Sequence, residues 1–125
     1  MAKVLGPDFI ALQVSDMQAS TRFYVEQLGL VPADRSPPGA VVFKTVPIPF
    51  AIREPLVPLA AANKLGWGVS LWLNVEGADA LHRTLADAGV AIVAPPADGP
   101  FGRFFAISDL DGYTLTLHEA ALARW

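Results

Sequence analysis

One pattern, written twice, constrains this 125-residue chain more than any other feature of it. Residues 9–14 read as a strand, with Ile10, Leu12 and Val14 on one face and Phe9, Ala11 and Gln13 on the other. Ser15 and Asp16 are helix N-cap residues and Gly29 is a C′ residue, so a helix is expected over residues 17–28. Its Phe23, Tyr24 and Leu28 would pack on a sheet, with Arg22, Glu26 and Gln27 towards water. The same order then returns. Residues 69–75 alternate Val69, Leu71, Leu73 and Val75 against Ser70, Trp72 and Asn74. Residues 77–88 read as a helix with Ala78, Leu81 and Leu85 as its buried stripe, and Gly89 stops it. Val14 matches Val75 and Gly29 matches Gly89, at offsets of 61 and 60 residues. A period this long marks a duplicated module, not a solenoid.

The remaining segments complete two copies of one plan. Residues 32–39 form a loop, because Ser36-Pro-Pro-Gly39 cannot continue regular structure. Residues 41–46 are strand-like, and Pro47 and Pro49 place the next strand, near residues 50–53, at an edge or after a bulge. Residues 55–64 are a linker of prolines and alanines. In the second copy a strand is expected at 90–93, a loop at 95–100 and a strand at 104–108. Asp109-Leu-Asp-Gly112 makes the turn into a last strand, where Tyr113, Leu115 and Leu117 alternate with Thr114, Thr116 and His118. The expectation is an α+β fold of two β-α-β-β-β modules, about 8–55 and 67–120. The tail 120–125 carries no readable pattern, and a short helix across a dimer interface is one of several readings of it.

Composition removes several classes of function. An apolar fraction of 53% supplies a sizeable core, and no apolar run approaches the roughly 20 residues of a membrane span. The first residues lack the long apolar region of a signal peptide. The absence of cysteine excludes disulfides and thiolate metal sites and fits a cytoplasmic protein. A net charge of −3 with nine scattered basic residues leaves no footprint for nucleic acid.

Val14-Ser-Asp16 opens the first helix, Phe23-Tyr24 and Leu28-Gly29-Leu30 close it, and Asp109-Leu-Asp-Gly-Tyr113 precedes the last strand. In that order and spacing, these motifs resemble the glyoxalase/bleomycin-resistance/dioxygenase superfamily, the vicinal oxygen chelate fold, over nearly the whole chain. The resemblance implies curved sheets around a cup. In metal-dependent members the cup offers four His, Gln or Glu ligands to one divalent ion. Carried across, those positions fall on Phe9, Ala51, Ser70 and Thr116, none of which provides a donor suited to such an ion. No metal or other cofactor is therefore expected.

The residues on the inward faces are instead aromatic, small or neutral. Phe9, Ala11 and Gln13 come from the first strand, Ser70, Trp72 and Asn74 from the second module's first strand, and Thr114, Thr116 and His118 from the last. Phe43 and Phe50 are possible additions, and Arg53 and His118 would be two polar tips over one cavity. Flat rings with a few polar groups suit a flat organic ligand. Phe23, Phe104 and Phe105 are read as filling the core or a dimer interface, and His82 as a surface or boundary residue.

Within the superfamily the closer likeness is to bleomycin-resistance proteins. Gly99-Pro-Phe-Gly-Arg-Phe-Phe-Ala106 resembles their Pro-Trp-Gly-Arg-Glu-Phe-Ala segment, with Phe101 in place of the loop tryptophan, and Trp72 matches one of their stacking tryptophans. That resemblance implies a metal-free protein that sequesters a planar antibiotic or metabolite, in clefts completed across a homodimer. The expected ligand-binding residues are Trp72, Phe101, Phe9, Ser70, Asn74, Thr116, His118, Arg53, Phe43 and Phe50. The alternative is a lyase or isomerase of the glyoxalase/dioxygenase kind, with His118 as the acid–base group or with a metal site not visible in the sequence.

Overall fold

Short alternating segments bounded by prolines and glycines build short strands. In the computed structural model, which describes residues 2–119, β1 (Ile10–Gln13), β2 (Ala40–Phe43) and β3 (Phe50–Arg53) form a sheet in the order β1-β3-β2. β1 runs parallel to β3, and β2 antiparallel to it. Between β1 and β2 lies α1 (Met17–Arg22), started by the Asp16 carboxylate, which accepts a hydrogen bond from the Ala19 amide at 3.0 Å. The helix does not run regularly to Leu28. It widens into a π turn over Phe23–Gln27, where the Leu28 amide donates to the Phe23 carbonyl five residues back. The wider turn accommodates burial of two consecutive rings, Phe23 and Tyr24.

After the helix, Pro32 forms a single bridge to Phe43, flanked by Ala33 N–H donating to Val42 O and Lys44 N–H to Val31 O. Proline has no N–H with which to extend this pairing, so no full strand forms there. In the segment read as a linker, Leu59–Ala61 make one 3₁₀ turn.

The second half carries the complete order of elements: β4 (Leu71–Asn74), α2 (Ala78–Asp87), β5 (Ile92–Gly99), β6 (Gly102–Ser108) and β7 (Thr114–His118). Its sheet order is β4-β7-β6-β5, with β4 parallel to β7 and the other pairs antiparallel. Of the loop expected at residues 95–100, residues 95–99 are strand instead. β5 continues through Pro95 and Pro96 because it is an edge strand, and its register shifts twice, between Ile92 and Ala94 and again before Ala97. The turn before β7 forms as expected, with Asp109 Oδ1 accepting from the amides of Asp111 and Tyr113.

The chain divides into two compact units, Met1–Ala62 and Asn63–Trp125, each with its own core. In the first, register partners place Ile10, Leu12, Val41, Phe43, Phe50 and Ile52 on the helix side of the sheet. Tyr24 meets Phe43 and Phe50 at ring-centroid distances of 5.9 and 5.3 Å. In the second, Leu71, Leu73, Phe105, Ile107, Leu115 and Leu117 share one face, and Leu85 of α2 is fully buried. Full burial of such side chains contributes roughly 1.5–3 kcal/mol each. The tail 120–125 lies outside the described residues. No helix among the described residues is long and apolar enough to cross a membrane.

Candidate functional site

Because side chains alternate along a strand, the face of the second sheet away from α2 follows from its pairing. Trp72 is opposite Thr116, and Thr116 is opposite Ala106; Asn74 is opposite His118, and His118 is opposite Phe104. Trp72 stands on this face at 41% exposure, although it belongs to a residue type that is usually well buried. Three rings surround it. Phe101 meets it edge-on at 5.9 Å, Phe104 lies tilted at 6.0 Å, and His118 meets it edge-on at 5.0 Å. Phe101 is itself 53% exposed, so the pair presents aromatic surface to solvent.

The hairpin tip between β5 and β6 is tied down at several points. His118 Nδ1 lies 2.8 Å from the Phe101 carbonyl oxygen. A carbonyl only accepts, so Nδ1 carries the proton and donates. The Glu119 amide donates to the Arg103 carbonyl at 2.9 Å. Gly102, at φ +100°, comes so close to the Glu119 carbonyl that a Cβ there would collide with its oxygen. Outside this face, Glu119 Oε1 accepts from the Ala78 amide at 2.7 Å, in place of a side-chain cap from Gly77, the first residue of that turn. Arg103 spans Asp79 and Asp98 at 3.1 and 3.3 Å. The Asp79 hydrogen bond, with Asp98 assisting, holds its guanidinium above the usual arginine range.

The expected site residues therefore fall into three groups. Trp72, Phe101, Thr116 and His118 come together, with exposed Asn74 on the same face and exposed Ser70 just before β4. His118 differs from the polar tip that was expected. It is 2% exposed, and its bond holds the Phe101 backbone. Phe9 and Arg53 belong to the first unit. Phe9 is half exposed just before β1, while Arg53 Nε donates to the Glu54 carbonyl at 3.1 Å. Phe43 and Phe50 are core residues of that unit, 0% and 5% exposed and stacked 6.1 Å apart on the helix side of the sheet.

Sequence reasoning read Phe104 as filling the core or a dimer interface, and in the structure its ring lies against Trp72. The adjacency of Phe104 and Phe105 in a strand was the available signal, since consecutive side chains take opposite faces. Phe105 is the buried member, and His82 of α2 meets it edge-on at 5.4 Å.

Chemically, the part of this face around Trp72 is suited to stacking and to hydrogen bonding. Among the described residues no three His, Cys, Asp or Glu side chains gather into a group able to hold a metal ion. The positions that the family resemblance assigns to metal ligands carry a phenyl, a methyl and two hydroxyl groups, at Phe9, Ala51, Ser70 and Thr116. That set does not fit a divalent ion.

Several solved structures share this architecture. An antibiotic-binding protein from Streptomyces sp. CB03234 is similar at 24% identity and a TM-score of 0.76, over 97% of this chain and 100% of that one. The bleomycin-binding protein of Streptomyces verticillus, solved with copper(II)-bleomycin, is similar at 26% identity and a TM-score of 0.67, again over 97% and 100%. A glyoxalase/bleomycin resistance protein/dioxygenase from Nocardioides is similar at 21% identity and a TM-score of 0.72, over 99% of this chain and 89% of that one. No curated protein matches the sequence. The model of the Glyoxalase/Bleomycin resistance protein/Dioxygenase superfamily matches residues 6–117. The chain belongs to that superfamily and has its α+β vicinal oxygen chelate fold.

Proposed function

We propose that this protein is a metal-free binding protein that sequesters or carries a small, planar, mostly apolar organic molecule, such as an antibiotic or a metabolite. The observation that carries the reading is the half-exposed Trp72, set edge-to-face with the half-exposed Phe101 on a sheet face that also carries Thr116 and Asn74. An indole left partly open on a supported sheet face forgoes burial that it would gain in a core. A flat ligand laid on it would recover that burial. Structural likeness to an antibiotic-binding protein and to a bleomycin-binding protein supports the same reading.

The rival role for His118, acid–base chemistry on a substrate, has less support. Its ring is nearly sealed from solvent, and its Nδ1 proton is engaged by Phe101. The reading includes an isologous homodimer, which sedimentation of the purified protein would test.

The test of the binding role is a calorimetric titration of wild type and Trp72→Ala against a panel of planar aromatic antibiotics. The variant is expected to lose about 1–3 kcal/mol of binding free energy, as for a buried aromatic anchor. Equal affinity in the two proteins would refute it.

A further inference from the structure

One polar contact on the same sheet face plays no part in the aromatic cluster. Thr114 shares the face of Thr116 and His118, and the Lys64 ammonium donates to its hydroxyl at 3.2 Å. The segment that delivers the lysine is braced within the second unit. The Trp67 amide donates to the Lys64 carbonyl and the Val69 amide to the Gly66 carbonyl. Gly66, at φ +75°, packs so closely on Tyr113 that an added Cβ would lie 3.1 Å from its ring.

Among the described residues no carboxylate stands within ion-pair distance of Lys64. The Asp109 carboxylate, in the turn before β7, accepts from the amides of that turn. An ammonium has three N–H donors and Thr114 takes one, so two remain for a ligand. Thr114 is two residues from Thr116, the register partner of Trp72, a spacing of about 7 Å along the strand. The face therefore carries an indole beside Thr116 and an ammonium beside Thr114, at successive same-face positions of β7.

We infer that Lys64 and Thr114 form an anion subsite, and that the ligand is a planar aromatic molecule bearing a carboxylate or comparable acidic group. The inference rests on the reading of Trp72 as the stacking surface and narrows it to acidic ligands.

The test uses anthracene-2-carboxylate and its neutral carboxamide, titrated by their own fluorescence into wild type, Lys64→Gln and Trp72→Ala. Wild type is expected to bind the acid about fivefold more tightly than the amide, the scale of a partly exposed ion pair. Lys64→Gln should erase that preference and leave amide affinity unchanged, while Trp72→Ala should weaken both probes. A wild type without preference, a preference that survives Lys64→Gln, or no saturable binding of either probe overturns the subsite. If Trp72→Ala weakens both probes while Lys64→Gln changes neither, the subsite alone fails. If Trp72→Ala leaves both affinities unchanged, the stacking role fails, and the subsite fails with it.

Discussion

The two units differ at one pair of equivalent strand positions: the second carries an aromatic residue on the sheet face away from its helix, and the first does not. In the first, Ala11 pairs with Ala51 and Gln13 with Arg53; in the second, Trp72 pairs with Thr116 and Asn74 with His118. These are the same positions of the same parallel strand pair, and only the second copy has an aromatic residue there. Four rings of the first unit, Phe23, Tyr24, Phe43 and Phe50, lie in its core, and Phe9 is half exposed just before β1. In the second, the core is built from Leu85, Ile107, Leu115 and Leu117 around Phe105, while Trp72 stands on the open face. One backbone plan thus supports two divisions of labour. Rings on the helix side contribute stability, and on the far side of the second sheet Trp72 and Phe101 remain partly open to solvent.

The sharpest way to break that comparison is to truncate one ring in each unit. Phe43→Ala is expected to cost about 3–5 kcal/mol of stability, as for a fully buried phenyl group. Trp72→Ala, starting from 41% exposure, should cost under about half of that while weakening ligand binding. Urea denaturation of both variants, with the titration above for Trp72→Ala, checks the contrast. A Trp72→Ala loss as large as that of Phe43→Ala would make Trp72 a core residue.

A second pair compares glycines. Gly102→Ala drives a methyl group into the Glu119 carbonyl from a positive φ, with an expected cost of about 3 kcal/mol or more. Gly29→Ala also has a positive φ but meets nothing within 4 Å, so only the left-handed penalty of about 1–2 kcal/mol applies. Equal melting temperatures for the two variants would show that the close approach at Gly102 relaxes freely.

The smallest effect sharpens the comparison at equivalent strand ends. His118→Leu should cost about 1–2 kcal/mol by removing the donor to the Phe101 carbonyl, and should speed amide hydrogen exchange in residues 99–102. Arg53→Leu, whose guanidinium reaches only the Glu54 carbonyl, should stay within about 0.5 kcal/mol. Unchanged exchange at the hairpin tip in His118→Leu would remove His118 from its role in placing Phe101.

Much of this was legible in the residues. Asp16 caps a helix wherever the chain takes it, because the bond is local. The Asp109–Gly112 turn and the two-faced strand after it follow from side-chain chemistry and a period of two. The assignment of Trp72, Asn74, Thr114, Thr116 and His118 to one face came from that alternation alone. Other features depended on neighbours distant in the chain. Pro95 and Pro96 could enter a strand only because β5 is an edge, and edge status belongs to the sheet. Phe43 and Phe50 became core residues because Tyr24 arrives from the helix on their side. His118 was readable as a residue of the open face but not as the group that holds the Phe101 backbone, since a hydrogen bond across 17 residues leaves no local trace. Local chemistry and periodicity determined the elements and their faces; which face is covered, and by what, was decided by packing between segments that the sequence keeps far apart.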